Sequence, residues 1–426
     1  MRFALVNPNW TFNGSVYFGC REPHFPLELA YGQALLEEAG HEACLLDGHL
    51  FDFSPGDIRT RVQAFNPDIT VIQTAPTSLF WRCPQPELTV PMRLAQALRG
   101  CSAKIVAVGP HGSASPGAVL RKLGVDGVIR GECEQILPLL AQEGWERLDQ
   151  VFTPGHPQAP RCGSTLPDAL LPLSWPKAWI DRHSHHHHRF DRPPQGPGAE
   201  IEASRGCPYQ CSFCAKDFFR GKYRKRPMAA VLTEIDGLIA QGVQYLYFID
   251  EIFLPDADLL NELSIRPVSF GIQTRIDLWE PELLEMAGTA GCVSIESGIE
   301  SITEGGRMRF DKRSKLSTAE LVERLIHAKR FIPFVQANLL KVETDDNEAI
   351  QRWRDLLREK GVWANDPVPL FPFPGSPEYR QRWGEPDDQA WERAHADYLD
   401  RWETFCDLQE EVPLPIEALE QEYAYA

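Results

Sequence analysis

Three cysteines stand close together in the middle of the chain, in the stretch Ser204–Cys214 (SRGCPYQCSFC). Cys207, Cys211 and Cys214 are four and then three residues apart, and one loop can bring thiolates at such spacing to a single metal centre. A structural zinc site usually takes four ligands, often as two separated pairs, and the sequence has no second closely spaced pair. Three thiolates on a four-iron cluster leave one iron open to a small molecule, so the spacing favours a cluster over zinc.

Length and composition bound what surrounds this loop. The chain has 426 residues, 43% hydrophobic and 24% charged, which is typical of a globular protein with about two to three domains. No apolar run approaches the ~18 residues of a membrane span, and Met1–Trp10 does not resemble a secretory signal, so we expect a cytoplasmic protein. The net charge of −17 argues against nucleic acid as the main partner. Eleven cysteines in such a chain indicate thiols or ligands rather than disulfides.

Residues 1–145 alternate short β-rich runs with helix-length amphipathic stretches. Near-continuous apolar strands separated by helices predict a parallel sheet that is covered on both faces. We therefore predict an α/β, doubly wound, Rossmann-like domain whose ligand lies at the carboxyl ends of the strands. The predicted strands are Phe3–Asn7, Glu42–Asp47, Ile69–Thr74, Lys104–Val108 and Asp126–Arg130.

Residues 146–198 differ from both flanking regions. Nine prolines fall between Thr153 and Gly198 without sustained periodicity, which predicts an interdomain linker or a binding loop. The run His185–His188 lies inside it, and we expect a solvated loop there rather than a metal site.

The alternation of strands and helices resumes over 199–385. Six βα units predict a partial (β/α)6 TIM-like barrel whose loops after the strands form the active face. The remaining residues, 386–426, predict a short acidic helical tail to which we assign no function. The predicted strands of the barrel are Glu200–Ser204, Tyr245–Ile249, Val268–Ile272, Val293–Glu296, Val335–Leu340 and Val368–Phe371.

Further motifs follow the cysteines in a fixed order. They are Tyr247–Glu251 (YFIDE), Phe270–Cys292, Ser294–Ser301 (SIESGIES), Lys312 and Phe371–Pro377 (FPFPGSP). With the cysteine loop they resemble the radical S-adenosylmethionine (radical SAM) family from Glu200 to about Tyr379. The resemblance implies that Cys207, Cys211 and Cys214 ligate a 4Fe–4S cluster. It also implies that the open iron chelates S-adenosylmethionine.

The same resemblance implies further contacts to S-adenosylmethionine. Phe213 is expected beside the adenine, Asp250 and Glu251 at the methionine amino group, and Glu296 at the ribose, with Gln273 also in the cofactor site. The chain departs from the family where Asp250 and Glu251 replace part of a Gly-Gly-Glu motif. It departs again where Leu339–Thr344 replaces a Gly-rich turn.

A basic run, Lys216–Arg226 (KDFFRGKYRKR), follows the cysteine loop directly. It holds six Lys/Arg against one Asp. Such a run can attract an anionic substrate or a reductase, but the charged surface of a helix start is the interpretation we favour.

The N-terminal region resembles the cobalamin-binding domain found in one branch of this superfamily. The resemblance implies that Thr74, Ala75, Gly109, His111, Gly131 and Glu132 line a cobalamin; an empty domain used only for packing is the alternative. The histidine of Asp47-Gly48-His49 does not follow the first strand, so we predict no protein imidazole on the cobalt. The motifs that carry the resemblance are Phe25–Tyr31, Glu37–Glu42, Val108–His111 and Gly127–Glu134.

Together the two resemblances imply a cobalamin-dependent radical SAM enzyme, most specifically a C-methyltransferase acting on a small molecule. Two alternatives stay open: a cyclase or rearrangement enzyme that uses cobalamin without methyl transfer, and a non-catalytic cobalamin-binding protein. The expected partners are a small-molecule substrate and a one-electron reductase such as flavodoxin or ferredoxin. No motif specifies the substrate, the oligomeric state or an individual catalytic residue.

Overall fold

The computed structural model describes residues 1–10, 23–76, 87–142, 144–156, 161–183 and 196–401. The predicted α/β fold is confirmed, with two six-stranded sheets in succession along the chain. The run His185–His188 lies outside the described residues, as does the tail beyond residue 401. Within the described part, no helix is long and apolar enough to cross a membrane.

The first sheet has the strand order β2-β1-β3-β4-β5-β6. Its strands β1 to β5 are parallel, whereas β6 is antiparallel to β5. The strands are β1 (Arg2–Asn7), β2 (Glu42–Asp47), β3 (Ile69–Gln73), β4 (Lys104–Val108), β5 (Gly127–Ile129) and β6 (Val151–Phe152). The helices between them are α1 (Leu27–Glu38), α2 (Pro55–Phe65), α3 (Thr89–Ala97), α4 (Pro110–Ala114), α5 (Pro116–Leu123) and α6 (Leu139–Gln142).

Both faces of this sheet are buried, as expected for a doubly wound domain. Along β1, Phe3 and Leu5 belong to one apolar cluster, while Ala4 and Val6 belong to another. Successive side chains of a strand point to opposite faces, so the two clusters lie on opposite sides of the sheet. The carboxyl ends of the strands are therefore the part of the sheet that stays available to a ligand.

The second sheet is entirely parallel, in the order β14-β13-β12-β11-β10-β7. A short antiparallel pair, β8 and β9, lies beside it. The strands are β7 (Gly198–Ile201), β8 (Ser204–Arg205), β9 (Arg224–Lys225), β10 (Tyr245–Phe248), β11 (Ser269–Thr274), β12 (Cys292–Glu300), β13 (Phe334–Leu339) and β14 (Trp363–Ala364). The helices are α7 (Lys177–Arg182), α8 (Met228–Ala240), α9 (Ala257–Ser264), α10 (Pro281–Thr289), α11 (Glu304–Arg309), α12 (Thr318–Lys329), α13 (Asn347–Glu359), α14 (Pro377–Trp383) and α15 (Ala390–Arg401).

Two segments differ from the sequence prediction. The sixth strand of the barrel is Trp363–Ala364 rather than Val368–Phe371, of which only Val368 makes an isolated bridge, to Leu340. Prolines at 367 and 369 explain the difference, because proline has no N–H to donate to a neighbouring strand. In addition, β6 extends the first sheet into the segment predicted as a linker. The domain limits themselves stay predictions.

Candidate functional site

The three cysteines lie on the loop that follows β8. All three are half-buried, and the Cys214 N–H donates to the Cys211 carbonyl at 3.1 Å. Gly206 begins the loop with φ +77°, and a Cβ there would lie 2.1 Å from the Lys222 carbonyl oxygen. Only glycine accommodates both this backbone conformation and this close approach, so the residue fixes the direction in which the loop departs.

Two carboxylates after β10 hold the backbone of the cysteine loop. Asp250 accepts hydrogen bonds from the Ala203 N–H at 3.1 Å and from the Ser204 hydroxyl. Glu251 accepts from the Gly206 N–H at 2.6 Å, next to the first cysteine. Burial raises the pKa of Asp250 to about 7 and also raises the pKa of Glu251. Both carboxylates thus support the loop, and their contacts with the methionine amino group stay a prediction.

The other residues predicted to touch S-adenosylmethionine lie on neighbouring elements. Gln273 and Glu296 occupy the same register position on β11 and β12, and the Gln273 amide donates to the Glu296 carboxylate at 3.1 Å. The ring of Phe213 meets the ring of Phe310 edge to face, with centroids 5.4 Å apart. Beyond β12, Lys312 forms a 2.9 Å ion pair with Glu300. Their individual roles toward a ligand stay predictions.

The basic run after the cysteine loop is not the surface feature that we expected. Lys216, Arg220 and Arg226 are each at most 4% exposed, and no α-helix starts in this run. Arg220 contacts Glu202 at 2.5 Å, Glu251 at 3.1 Å, and Glu28 of α1. Burial disfavours the charge on Arg220, but these carboxylates outweigh burial and hold its pKa above the ordinary value. The run therefore joins the barrel to the N-terminal sheet.

Two more arginines cross the same interface. Arg205 donates to Glu134 at 2.5 Å and to Glu202 at 2.8 Å, and all three side chains are buried. Arg224 binds Glu132 through two hydrogen bonds of 2.7 and 2.8 Å. Arginine suits such contacts because its planar guanidinium matches a carboxylate in two parallel hydrogen bonds. With Arg220, these pairs fix how the two sheets face each other.

The predicted cobalamin residues after β3 and β4 are close together. Gly109 follows β4 with φ +123°, and a Cβ there would lie 2.6 Å from the Thr74 hydroxyl. Thr74 and the neighbouring Gln73 are both at most 1% exposed. Within the described residues, neither the Thr74 hydroxyl nor either polar atom of the Gln73 amide has a hydrogen-bond partner. Buried polar groups normally have partners, so this edge of the sheet fits a ligand rich in amide groups.

The remaining predicted cobalamin residues have protein contacts. His111 packs against Trp391 of α15, with ring centroids 4.3 Å apart. Gly131 forms an isolated bridge with Gly163. Glu132 is 1% exposed and is held by Arg224 and by the Thr165 N–H at 2.5 Å. The structure thus separates Thr74, Ala75 and Gly109, at the strand ends, from Gly131 and Glu132, which line the interface.

The two carboxyl edges meet just beyond the cysteine loop. Ala75, after β3, forms an apolar contact with Phe219, five residues after Cys214. A Cβ on Gly375 would lie 3.0 Å from the Phe218 ring and 3.8 Å from Ala114 of α4. The predicted cluster loop and the predicted cobalamin edge are therefore neighbours.

The donor set of the cysteine loop fits an iron–sulfur cluster. It offers three thiols from one loop, and burial raises the pKa of both Cys207 and Cys211. These thiols stay protonated until a bound metal displaces the proton, as in other thiolate sites. In the described part of the chain, no three His, Cys, Asp or Glu side chains are gathered around a single ion position.

Sequence reasoning missed a buried histidine–glutamate group at the base of the site. Glu200 of β7 contacts His24 at 2.7 Å and His183 at 3.0 Å, and it accepts from the Phe25 N–H at 3.2 Å. Burial disfavours the charged form of His183, but Glu200 outweighs burial and raises its pKa. The one available signal was a glutamate inside an otherwise apolar strand.

Sequence reasoning also missed Arg275, which follows β11. Its guanidinium carbon lies 4.2 Å from the ring centre of Tyr209, and two hydrogen bonds of 2.7 and 3.1 Å tie it to Asp277. A cation over a tyrosine ring is attracted by the electrons of the ring. Arg275 therefore braces the cysteine loop from the barrel side.

Comparison with protein families identifies the barrel. The model of the Radical SAM superfamily matches residues 201–353, which include all three cysteines. An uncharacterized methyltransferase from Pyrococcus horikoshii is 25% identical over 296 residues, which cover 65% of this chain and 61% of the relative. An anaerobic magnesium-protoporphyrin IX monomethyl ester cyclase from Rubrivivax gelatinosus is 26% identical over 359 residues, covering 76% and 60%. The chain spans about three fifths of the length of these two relatives.

Comparison with solved structures extends the likeness to both sheets. The radical S-adenosylmethionine methyltransferase TsrM from Kitasatospora setae, solved with cobalamin and a [4Fe-4S] cluster bound, matches with a TM-score of 0.67. The match covers 89% of this chain and 75% of TsrM at 18% identity. At this identity the match shows a shared fold, with an N-terminal α/β domain ahead of the barrel.

Proposed function

We propose that this chain, which belongs to the radical SAM superfamily through residues 201–353, is a cobalamin-dependent enzyme that methylates a carbon of a small molecule. The observation that carries the proposal is the position of the cysteine loop. It stands at the carboxyl edge of the barrel, and its continuation at Phe219 contacts Ala75 at the carboxyl edge of the N-terminal sheet. Two cofactors bound at these edges would face a common space.

Cys207, Cys211 and Cys214 would hold the cluster, and the strand ends around Gln73, Thr74 and Gly109 would hold cobalamin. When bound, a reduced 4Fe–4S cluster supplies the electron that cleaves S-adenosylmethionine, and cobalamin supplies a cobalt that carries a methyl group. The protein contributes position, because bringing reacting groups into one geometry accelerates a reaction strongly. Arg205, Arg220 and Arg224 provide it by locking the two edges together.

The proposal implies two kinds of partner. A small-molecule substrate would enter between the two carboxyl edges, and a one-electron reductase such as flavodoxin or ferredoxin would reduce the cluster. A cytoplasmic location, where such reductases and reduced thiols occur, is part of the same proposal.

Anaerobic reconstitution with iron, sulfide and hydroxocobalamin tests both cofactor sites. We expect the wild type to bind about one cobalamin and to show an iron–sulfur spectrum that changes when S-adenosylmethionine is added. Cys211→Ala is expected to lose the cluster but retain cobalamin. Cys44→Ala, a half-buried cysteine on β2, is the matched control and is expected to retain both. Loss of cobalamin on a desalting column would contradict the N-terminal assignment.

A second candidate is oxidative ring closure without methyl transfer. The Rubrivivax gelatinosus cyclase, similar over 76% of this chain, favours it. The two reactions differ in their products: methyl transfer yields S-adenosylhomocysteine as well as 5′-deoxyadenosine, whereas ring closure yields 5′-deoxyadenosine alone. Measuring the ratio of the two nucleosides with extracts of the source organism as substrate separates them.

A further inference from the structure

A basic, exposed segment lies directly against the cysteine loop. The stretch 307–315 (RMRFDKRSK) contains five Lys/Arg and one Asp, in a chain whose net charge is −17. Met308 is 75% exposed, and the side chains of Arg309 and Arg313 are 49% and 76% exposed. We call Met308, Arg309, Arg313 and the exposed Lys315 the α11 surface.

The α11 surface is held rigidly by the two other cations of the segment. Arg307 is 2% exposed and donates to the Ser301 carbonyl at 3.0 Å. Lys312 is 3% exposed and pairs with Glu300 at 2.9 Å. Because the buried cations anchor the backbone, the exposed ones keep a fixed position on the surface.

The path from this surface to the cysteines is short. The Phe310 carbonyl accepts a hydrogen bond from the Ser212 N–H at 2.9 Å, and Ser212 directly follows Cys211. One oxygen of Glu378 accepts from the Ser212 hydroxyl at 2.7 Å and from Arg309 at 3.0 Å. Two separate contacts therefore join the α11 surface to the residue between two of the predicted cluster ligands.

We propose that the α11 surface is the docking site of an acidic one-electron donor protein. The inference rests on the proposed function, which requires an electron from outside the chain. In the transfer one electron leaves the donor and one enters the cluster, with no bond made or broken. An exposed apolar residue flanked by cations suits such a partner, because electrostatic attraction steers the encounter and weak redox complexes bury little surface.

Charge reversal on this surface tests the proposal. The variant R309E/R313E is compared with wild type and with R352E/R358E, whose arginines lie on α13 and are 69% and 51% exposed. Each of the four arginines has an acidic neighbour, so the two variants are closely matched. Binding of oxidised flavodoxin and the rate of cluster reduction by reduced flavodoxin are measured, with dithionite as the small reductant.

We expect R309E/R313E to bind flavodoxin about tenfold more weakly and to be reduced correspondingly more slowly at ~10 mM salt, where the Debye length is about 30 Å. The difference should largely vanish at ~1 M salt, where the Debye length is about 3 Å. Reduction by dithionite should be the same in all three proteins. The docking proposal is overturned if wild type does not bind flavodoxin, or if both double variants bind it as wild type does. A wild type with no cluster for dithionite to reduce instead contradicts the proposed function.

Discussion

Removing the guanidinium of Arg220 is expected to destabilise the protein strongly. Arg220→Met keeps an unbranched apolar side chain but leaves Glu28, Glu202 and Glu251 without their shared counter-charge, at a site where all four side chains are at most 3% exposed. Breaking a buried ion pair by removing one partner typically costs about 3–5 kcal/mol, because an uncompensated charge stays buried. The free energy of unfolding, obtained from urea denaturation followed by circular dichroism, measures the loss.

The pH dependence separates the electrostatic cause from a packing defect. Without Arg220 the buried glutamates have pKa values above those of the unfolded chain, so their protonated forms are stable in the fold and the penalty grows as the pH rises. The deficit relative to wild type should therefore be larger at pH 8 than at pH 5. Arg352→Met, on the exposed face of α13, is the control and should change stability by less than about 0.5 kcal/mol. A deficit below about 1 kcal/mol, or one equal at both pH values, would refute the reasoning.

Two further predictions concern the support of the cysteine loop. Gly206→Ala forces a Cβ to within 2.1 Å of the Lys222 carbonyl, so we expect less iron after reconstitution, whereas Gly305→Ala, with open space around its Cβ, should bind iron as wild type does. Asp250 has its folded pKa raised to about 7 by burial, so its contribution to stability is full below pH ~4 and is lost as the pH rises to 7. Asp250→Asn should therefore show a smaller decline in the free energy of unfolding between pH 4 and 7, by a few kcal/mol at ~1.4 per pKa unit. Equal declines in the two proteins would contradict the role of burial.

The parallel strands were predictable because each is specified by its own apolar run. Glu42–Asp47 and Lys104–Val108 have the same limits in the sequence prediction and in the structure. A strand buried on both faces needs an unbroken apolar run, which is a local property. The cysteine loop was predictable for a similar reason, since its three donors lie within eight residues of one another.

The interface was not predictable because its partners are far apart in the sequence. Arg220 contacts Glu28 from 192 residues away, and Arg205 contacts Glu134 from 71 residues away. Composition marks a run such as Lys216–Arg226 as surface, since arginine is rarely buried unless it is paired. Nothing local shows that carboxylates on another domain will cover it.

Glu132 shows the limit of a motif in the same way. The motif Gly127–Glu134 located a strand end correctly, because β5 ends at Ile129. It did not say which way the side chains after the strand point. The structure directs Glu132 toward Arg224 and Thr165, so this side chain binds the barrel segment rather than standing open at the strand end. A motif fixes position along the chain, whereas the contacts of a side chain depend on what folds against it.

The charged interface also explains how domain docking reaches the cysteine loop. An apolar interface of similar size would be stable in several alignments, whereas paired guanidinium and carboxylate groups are satisfied in few. Glu251 belongs to both systems: one oxygen accepts from Arg220 and the other from the Gly206 N–H, next to Cys207. A shift of the N-terminal sheet that pulls Glu28 from Arg220 therefore weakens the hydrogen bond that fixes the start of the loop. Reaction geometry at the barrel edge is in this way made conditional on the N-terminal domain being in place.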